Sequence, residues 1–205
     1  HTRYLVDFDL EPLAEQVRSQ ARACGVADVK DLVAITDGGN GLEEALQRNL
    51  ADNLATVLDW YHAAEHVCDF AKVLHPHDAE ACSTWSHEAK NILYEQGGEA
   101  LLKHLQAMTL PPPAGAETSE ELRKLIGYFE NNRHRTDYPK YRADGWDIGS
   151  GPTEAGCKII GERLKGSGMR WVEDGAATVA ALRALYVSGP KLLDGFWQQP
   201  HRKAA

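Results

Sequence analysis

Residues 31–60, DLVAITDGGNGLEEALQRNLADNLATVLDW, decide the fold class of this chain. Two short apolar runs, at 32–36 and 54–58, flank a segment with helical spacing at 42–49. Each run stops at an aspartate, Asp37 or Asp59. A strand, a helix and a strand with short loops form a βαβ unit, in which the two strands are parallel neighbours. We therefore predict an α/β fold with both aspartates at strand carboxyl ends, where open sheets place their sites.

The rest of the chain predicts helices, so the fold should be mostly helical overall. A helix at 9–24 precedes the first strand, and no third strand is predicted after the second. The triple proline at 111–113 predicts a linker or a sharp turn, and 136–151 predicts an irregular segment. The predicted helices after the second strand lie at 61–73, 77–95, 98–107, 117–134, 153–165 and 173–187.

Composition excludes a few classes of protein. A chain of 205 residues is long enough to bury a core and holds one large domain, or one domain with an insertion. No apolar run approaches the ~18 residues that span a membrane, and the opening residues do not form a signal peptide. We therefore expect a cytoplasmic protein without a membrane partner. The four cysteines form no C-x-x-C pair and predict buried free thiols.

Positive charge is concentrated near the C-terminal end, although the net charge is −8. Between Cys157 and Trp171 the only acidic residue is Glu162, while the basic residues are Lys158, Arg163, Lys165 and Arg170. A basic patch beside a carboxylate site suits a phosphodiester substrate. The alternative is a solvated helix face followed by a basic loop.

A third carboxylate, Glu154, follows the glycine-rich residues 149–153 and starts a predicted helix. Carboxylates clustered with open coordination positions suit Mg²⁺ and phosphate chemistry, so Asp37, Asp59 and Glu154 are the main site candidates. Each also has a structural interpretation. Asp37 could form a turn, Asp59 could cap a helix, and Glu154 could simply favour the positive end of a helix dipole.

The segment after the second strand contains His62, Glu65 and His66, in the H-x-x-E-H pattern of a class of zinc proteases. Two histidines four residues apart on a helix can hold zinc, with the glutamate as base. A zinc hydrolase is therefore an alternative function. Asp59, three residues before His62, could orient its imidazole, or it could cap the helix and hold the strand end.

Six blocks of the chain, taken in order, carry a family resemblance: Ile35-Thr36-Asp37-Gly38, LDWYHAAEH at 58–66, Tyr141-Arg142-Ala143, GSGPTE at 149–154, RLKGSGMRW at 163–171 and LRALY at 182–186. Together they resemble the C-terminal catalytic part of a bacterial insertion-sequence transposase of the DDE class. Within that class the likeness is to the ISKra group, which is related to Mutator-like transposases. The blocks cover nearly the whole chain, and the set is far more specific than any one of them.

The resemblance implies a partial RNase H-like fold with parallel strands and a large α-helical insertion. Residues 1–60 would be the βαβ part of the core, 61–145 the insertion, and 146–205 the core helices that carry the last acidic residue. Two Mg²⁺ or Mn²⁺ ions would bind the catalytic carboxylates, and the enzyme would cut and join DNA at transposon ends and target. A homodimer and a bacterial, nucleoid-associated location are also implied.

Individual roles follow by matching positions to the family's motifs. Asp37 resembles the second catalytic aspartate and Glu154 the terminal glutamate, both as metal ligands. Asp59 and His62 resemble an accessory motif. The residues expected to contact DNA are Lys158, Arg163, Lys165, Arg170 and Trp171. Trp171 could stack on an unpaired base or pack at a helix start.

The family's first catalytic aspartate has no counterpart in this sequence. Asp7 and Asp9 precede Asp37, but a predicted helix and strand fill that interval and leave no room for further strands. We therefore expect this polypeptide alone to be catalytically inactive. The remaining alternative is a non-enzymatic remnant, which would only bind DNA or bind a partner transposase subunit.

Overall fold

The structure is a computed structural model that describes residues 2–26, 29, 31–39, 41–50, 54–110 and 115–198. Most of these residues are helical, and two strands form a small parallel sheet. The strands are β1 (Leu32–Thr36) and β2 (Leu54–Leu58). The helices are α1 (Leu10–Ala23), α2 (Leu42–Asn49), α3 (Trp60–Leu74), α4 (Ala79–Gln96), α5 (Gly98–Gln106), α6 (Ala116–Asn131), α7 (Tyr138–Ala143), α8 (Gly151–Leu164), α9 (Glu173–Ser188) and α10 (Pro190–Gln198).

The predicted βαβ unit is confirmed. β1 and β2 pair in parallel, with Leu32 opposite Leu54 and Thr36 opposite Leu58. Asp37 and Asp59 directly follow the paired residues Thr36 and Leu58, so both lie at the carboxyl end of the sheet. The backbone N–H of Asp59 donates to the Thr36 carbonyl at 2.7 Å, which extends the pairing by one residue.

The chain divides into two compact units. The strand unit comprises Asp31–Glu43 and Asn53–Ser150, and the terminal unit comprises His1–Lys30, Glu44–Asp52 and Gly151–Ala205. Both units are thus built from separate stretches of sequence. The transposase-based division into 1–60, 61–145 and 146–205 remains a prediction.

The strand unit has an extensive apolar core, because β2 and the helices α3 to α7 each turn one apolar face inward. On α3 the buried residues Ala63, Val67 and Phe70 recur at helical spacing. Other helices add large side chains that are almost fully enclosed: Leu93, Leu101, Leu105, Leu125, Phe129 and Tyr138. This core fixes the helices that surround the ends of the strands.

The terminal unit has a smaller core, in which α8 and α9 pack together. Its buried residues include Ile160, Ala180 and Ala184, and the partly buried Tyr4 and Val6 pack against them. The backbone N–H of Tyr4 donates to the Ser188 hydroxyl at 2.8 Å. The extended segment before α1 is therefore part of this unit's core.

Several sequence predictions need correction. The helices α7 and α10 are unexpected, since the sequence predicts an irregular segment at 136–151 and no helix after 187. The cysteines are free but not buried: Cys24 and Cys157 are exposed, and Cys68 and Cys82 are half-buried. The triple-proline linker at 111–113 lies outside the described residues. None of the helices in the described ranges has the length and apolarity that crossing a bilayer requires.

Candidate functional site

Asp37 lies exposed at the end of β1. Its Oδ1 accepts a hydrogen bond from the Gly39 backbone N–H at 3.0 Å, which is an Asx turn. Its Oδ2 has no hydrogen-bond partner among the described residues. Asp37 therefore both forms a turn and keeps one oxygen available to a ligand.

Asp59 is buried and fully occupied by hydrogen bonds. Its Oδ1 accepts from the backbone N–H groups of Tyr61 at 2.7 Å and His62 at 3.2 Å, which caps α3. Its Oδ2 accepts from the Ser150 N–H at 2.7 Å and from the Ser150 hydroxyl. Burial acts to raise the pKa of Asp59, but these hydrogen bonds outweigh it and hold that pKa below its ordinary value. Asp59 thus joins the end of β2 to the segment before α8 and is no metal ligand in this arrangement.

Two further contacts fix that segment. The Trp60 backbone N–H donates to the Ile148 carbonyl at 2.8 Å. The Tyr61 ring lies so close to Gly149 that a Cβ there would be 2.6 Å from a ring carbon. Only glycine therefore fits at position 149 with Tyr61 in place.

The imidazole of His62 is not held by Asp59, which binds the backbone of that residue instead. The His62 Nδ1 lies 3.6 Å from a Glu65 oxygen, and the rings of His62 and His66 meet edge to face with centroids 5.0 Å apart. Burial, together with the neighbouring His62, lowers the pKa of His66. The His66 ring also packs against Tyr128, with centroids 4.1 Å apart. Among the described residues no third metal ligand joins this pair.

Glu154 lies in the first turn of α8 and is exposed. The four basic residues of the predicted DNA contact are also exposed, with Lys158 and Arg163 on α8 and Lys165 and Arg170 after it. None of these four cations forms an ion pair with a carboxylate in the described part of the chain. The C-terminal part of α8 and the loop after it therefore carry positive charge that no carboxylate among the described residues compensates.

Trp171 has a structural contact and a partly exposed ring. Its indole N–H donates to the Leu164 carbonyl at 2.9 Å and so caps the C-terminal end of α8. Its ring is still 39% exposed, with the Arg163 guanidinium carbon 6.0 Å from the ring centroid. The residue is anchored by one edge and offers the rest of the ring to solvent.

Sequence reasoning missed a polar cluster behind the end of β1. Its centre is Arg135, in a short 3-10 turn after α6, whose guanidinium donates to the Thr36 hydroxyl at 2.7 Å and lies 3.5 Å from a Glu43 oxygen. Burial acts to raise the pKa of Glu43, but hydrogen bonds from Thr56 and His134 and the charge of Arg135 hold it below its ordinary value. No local motif announces this cluster, because Arg135 and Thr36 are 99 residues apart.

Tyr128 lies beside the same cluster. Burial raises the pKa of Tyr128 to about 12, so its hydroxyl stays protonated. That hydroxyl is enclosed and has no hydrogen-bond partner among the described residues. A protonated donor is therefore present near Asp37, whose negative charge also acts to raise the same pKa.

The three carboxylates of the sequence hypothesis thus differ in environment. Asp37 and Asp59 belong to the strand unit, and Glu154 belongs to the terminal unit. Within the described ranges, no group of three or more His, Cys, Asp or Glu side chains could hold a metal ion. Asp37 and Glu154 are the two whose oxygens remain available.

The terminal unit also contains an open apolar pocket of about 670 Å³ between the segment before α1 and the helices α9 and α10. Its lining includes Tyr4, Leu182, Leu185 and Trp197. None of the predicted site residues lines it, so it lies apart from the proposed chemistry.

No protein-family model matches this chain, and no curated protein or solved structure matches it. The resemblance to DDE transposases therefore depends on the sequence motifs alone.

Proposed function

We propose that this chain is the C-terminal catalytic part of a DDE-type transposase and that it binds DNA through α8 and the loop that follows. The observation that carries the proposal is the exposed, unpaired state of Lys158, Arg163, Lys165 and Arg170. These cations follow Glu154 on the same helix and its C-terminal extension. Such charges neutralise phosphates and release counterions when DNA binds.

The lysines and arginines of the strand unit give a contrast. All of them except Lys90 form ion pairs with carboxylates, for example Arg123 with Glu120 and Lys124 with Glu121. Cations that already have an anionic partner gain less from a phosphate. We therefore assign DNA binding to the terminal unit and, within it, to the cluster of four cations on and after α8, since Glu162 is the only acidic residue between Cys157 and Trp171. Trp171, with its exposed ring beside Arg163, would stack on an unpaired base near a cleaved end.

Asp37 and Glu154 fit the metal-binding part of the proposal by chemistry. Both are exposed carboxylates, and hard cations such as Mg²⁺ and Mn²⁺ prefer oxygen ligands. Asp59 does not fit as a ligand, because four donors already occupy its oxygens. Among the described residues, neither carboxylate belongs to a group of three or more potential metal ligands.

When bound, the metal would supply Lewis-acid stabilisation of the oxygens that attack and leave the scissile phosphate. The residues of this chain would contribute in three ways. Asp37 would bind one cation and Glu154 another, the basic residues would fix the DNA backbone, and Asp59 would keep the strand end and the 148–150 segment in register. An RNase H-like core, a homodimer and action on bacterial DNA in the cytoplasm belong to the same proposal.

The DNA-binding part is tested by the salt dependence of affinity for a labelled duplex. In the Lys158→Ala, Arg163→Ala, Lys165→Ala triple variant, we expect the slope of log affinity against log salt to flatten by about 0.9 for each phosphate that the protein no longer neutralises. A matched control, the Lys103→Ala, Arg123→Ala, Lys124→Ala triple variant, removes the same charge from ion-paired positions in the strand unit. Equal slopes in the two triple variants would remove α8 from the interface.

The metal part is tested by Mn²⁺ binding, measured by electron paramagnetic resonance. Asp37→Asn and Glu154→Gln should each weaken binding. The control is Glu162→Gln, which neutralises another exposed carboxylate on α8. Wild-type Mn²⁺ affinity in both ligand variants would refute the assignment of these two carboxylates.

A further inference from the structure

We propose that Arg135 is a positioning residue for Asp37, holding the end of β1 from the helical side of the strand unit. The inference rests on the proposed role of Asp37 as a metal ligand. All the residues involved, and all the contacts between them, lie within the strand unit.

The Arg135 guanidinium is held rigidly. Arg135 is only 4% exposed, and a buried charge is stable only when it is paired and hydrogen-bonded. Its Nε donates to the Asn132 side-chain oxygen at 3.0 Å, and its Nη2 donates to the same oxygen at 2.5 Å. Its Nη1 lies 3.5 Å from Glu43. These partners leave the planar guanidinium little freedom to rotate.

From that fixed position Arg135 binds the residue before Asp37 and borders the space beside the residue after it. On one side its Nη1 donates to the Thr36 hydroxyl at 2.7 Å. On the other side its Nη2 lies 3.6 Å from the place where a Cβ of Gly38 would be. Thr36 is itself 5% exposed, so the hydroxyl that Arg135 binds cannot turn to solvent.

Two further side chains close the space around Gly38. Leu58 Cδ1 lies 3.0 Å from the Cβ position of Gly38, and the Tyr128 hydroxyl lies 3.4 Å from it. Gly38 has φ +88°, a conformation that residues with a Cβ rarely adopt. The chain therefore leaves β1 along one path, and that path sets where the Asp37 carboxylate lies.

The helical segment between β2 and α8 thereby contributes to the positioning of Asp37. Arg135 ends the 3-10 turn between α6 and α7, and the neighbouring His134 also contacts Glu43, at 2.9 Å. The segment that joins α6 to α7 is therefore bonded to the strand end that carries Asp37. A change in α6 should reach Asp37 through Arg135 and through Tyr128, which lies on α6 beside Gly38.

The test compares Thr36→Val and Arg135→Lys with a control, Ser86→Ala. Thr36→Val keeps a good strand former and deletes only the hydroxyl that Arg135 binds. Ser86→Ala deletes a buried hydroxyl from α4 of the same unit, where it donates to the Ser83 carbonyl at 3.0 Å. Backbone order parameters from ¹⁵N relaxation then report the rigidity of Gly38 and Gly39, and Mn²⁺ affinity reports the site.

We expect order parameters near ~0.85 at Gly38 and Gly39 in the wild type and in Ser86→Ala, and values below about 0.6 in Thr36→Val and Arg135→Lys. Mn²⁺ affinity should fall several-fold in the same two variants and stay at the wild-type value in the control. Unchanged order parameters in folded Thr36→Val would overturn the inference, whatever the metal does. If Asp37→Asn leaves Mn²⁺ affinity unchanged, the proposed role of Asp37 as a metal ligand fails, while the order parameters still decide the role of Arg135.

Discussion

Replacing Asp59 by alanine should be far more costly than removing an ordinary helix cap. Asp78 provides the matched comparison, because it caps α4 through one hydrogen bond from the Ala81 N–H at 2.9 Å and is exposed. Losing such a cap costs about 1 kcal/mol. Asp59→Ala loses an equivalent cap on α3 and also leaves both donors of Ser150 without their acceptor.

The expected cost follows from those hydrogen bonds. Asp59 is 1% exposed, so water cannot easily replace the missing acceptor. Each unsatisfied donor of Ser150 adds about 1–2 kcal/mol to the cost of the cap. We therefore expect Asp59→Ala to lower the free energy of unfolding of the strand unit by about 3–5 kcal/mol, against about 1 kcal/mol for Asp78→Ala. Asp59→Asn should fall between them, because asparagine still caps a helix but cannot accept both Ser150 bonds.

The pH dependence gives an independent check on the same hydrogen bonds. The folded-state pKa of Asp59 lies below the unfolded value of about 3.9, so its charge stabilises the fold above that pH. This stabilisation is lost as the pH falls through the folded-state pKa. The difference between wild type and Asp59→Asn should therefore be constant from about pH 5 to 7 and should shrink below about pH 4.

The measurement is native-state hydrogen exchange, followed by mass spectrometry on peptides from β2 and α3. It reports the opening free energy of the strand unit separately from that of the terminal unit. A Ser150→Ala variant, alone and with Asp59→Asn, isolates the coupling between the two side chains. The reasoning would be refuted if Asp59→Ala cost no more than Asp78→Ala, or if its excess cost persisted unchanged at about pH 3.

Three further predictions concern packing, and urea unfolding measures each of them. Gly38→Ala should lower the free energy of unfolding more than Gly145→Ala does. Both glycines have positive φ, but of the two only Gly38 has neighbours against its Cβ position. Equal losses in the two variants would contradict this. Gly156→Ala should destabilise the terminal unit, because its Cβ would lie 2.4 Å from the Tyr4 ring. Gly161→Ala on the same helix should instead stabilise the unit by about 0.5–1 kcal/mol. A Gly156→Ala variant as stable as the wild type would contradict the packing. Leu93→Ala, at a fully buried position, should cost about 2–5 kcal/mol, and a smaller loss would show that the core relaxes around the cavity.

The central elements were predictable because their signals are local. Both apolar runs end at aspartates, and the helical segment between them predicts a crossover connection and hence parallel pairing. The boundaries of α3, α4 and α5 were predicted within two residues. The helix α7 was missed although it has local signals, since Asp137 caps it and Pro139 lies in its first turn. The many tyrosines and glycines around it obscured those signals.

The site was less predictable, because its key contacts join residues far apart in the sequence. Asp59 and Ser150 are 91 positions apart, and no local pattern shows that one carboxylate binds the other residue twice. The sequence offered two roles for Asp59, and the structure favours the cap. The chemistry of Asp37 and Glu154 stays a prediction.

The interleaved path of the chain has a consequence for synthesis. The backbone passes from one unit to the other after residues 30, 43, 52 and 150. Every residue of the strand unit has therefore been translated once Ser150 emerges. By contrast, Tyr4 must wait for Ser188 before their hydrogen bond can form. Tyr4 should thus remain without this partner on the ribosome until Ser188 has been made, and the terminal unit should be completed after the strand unit.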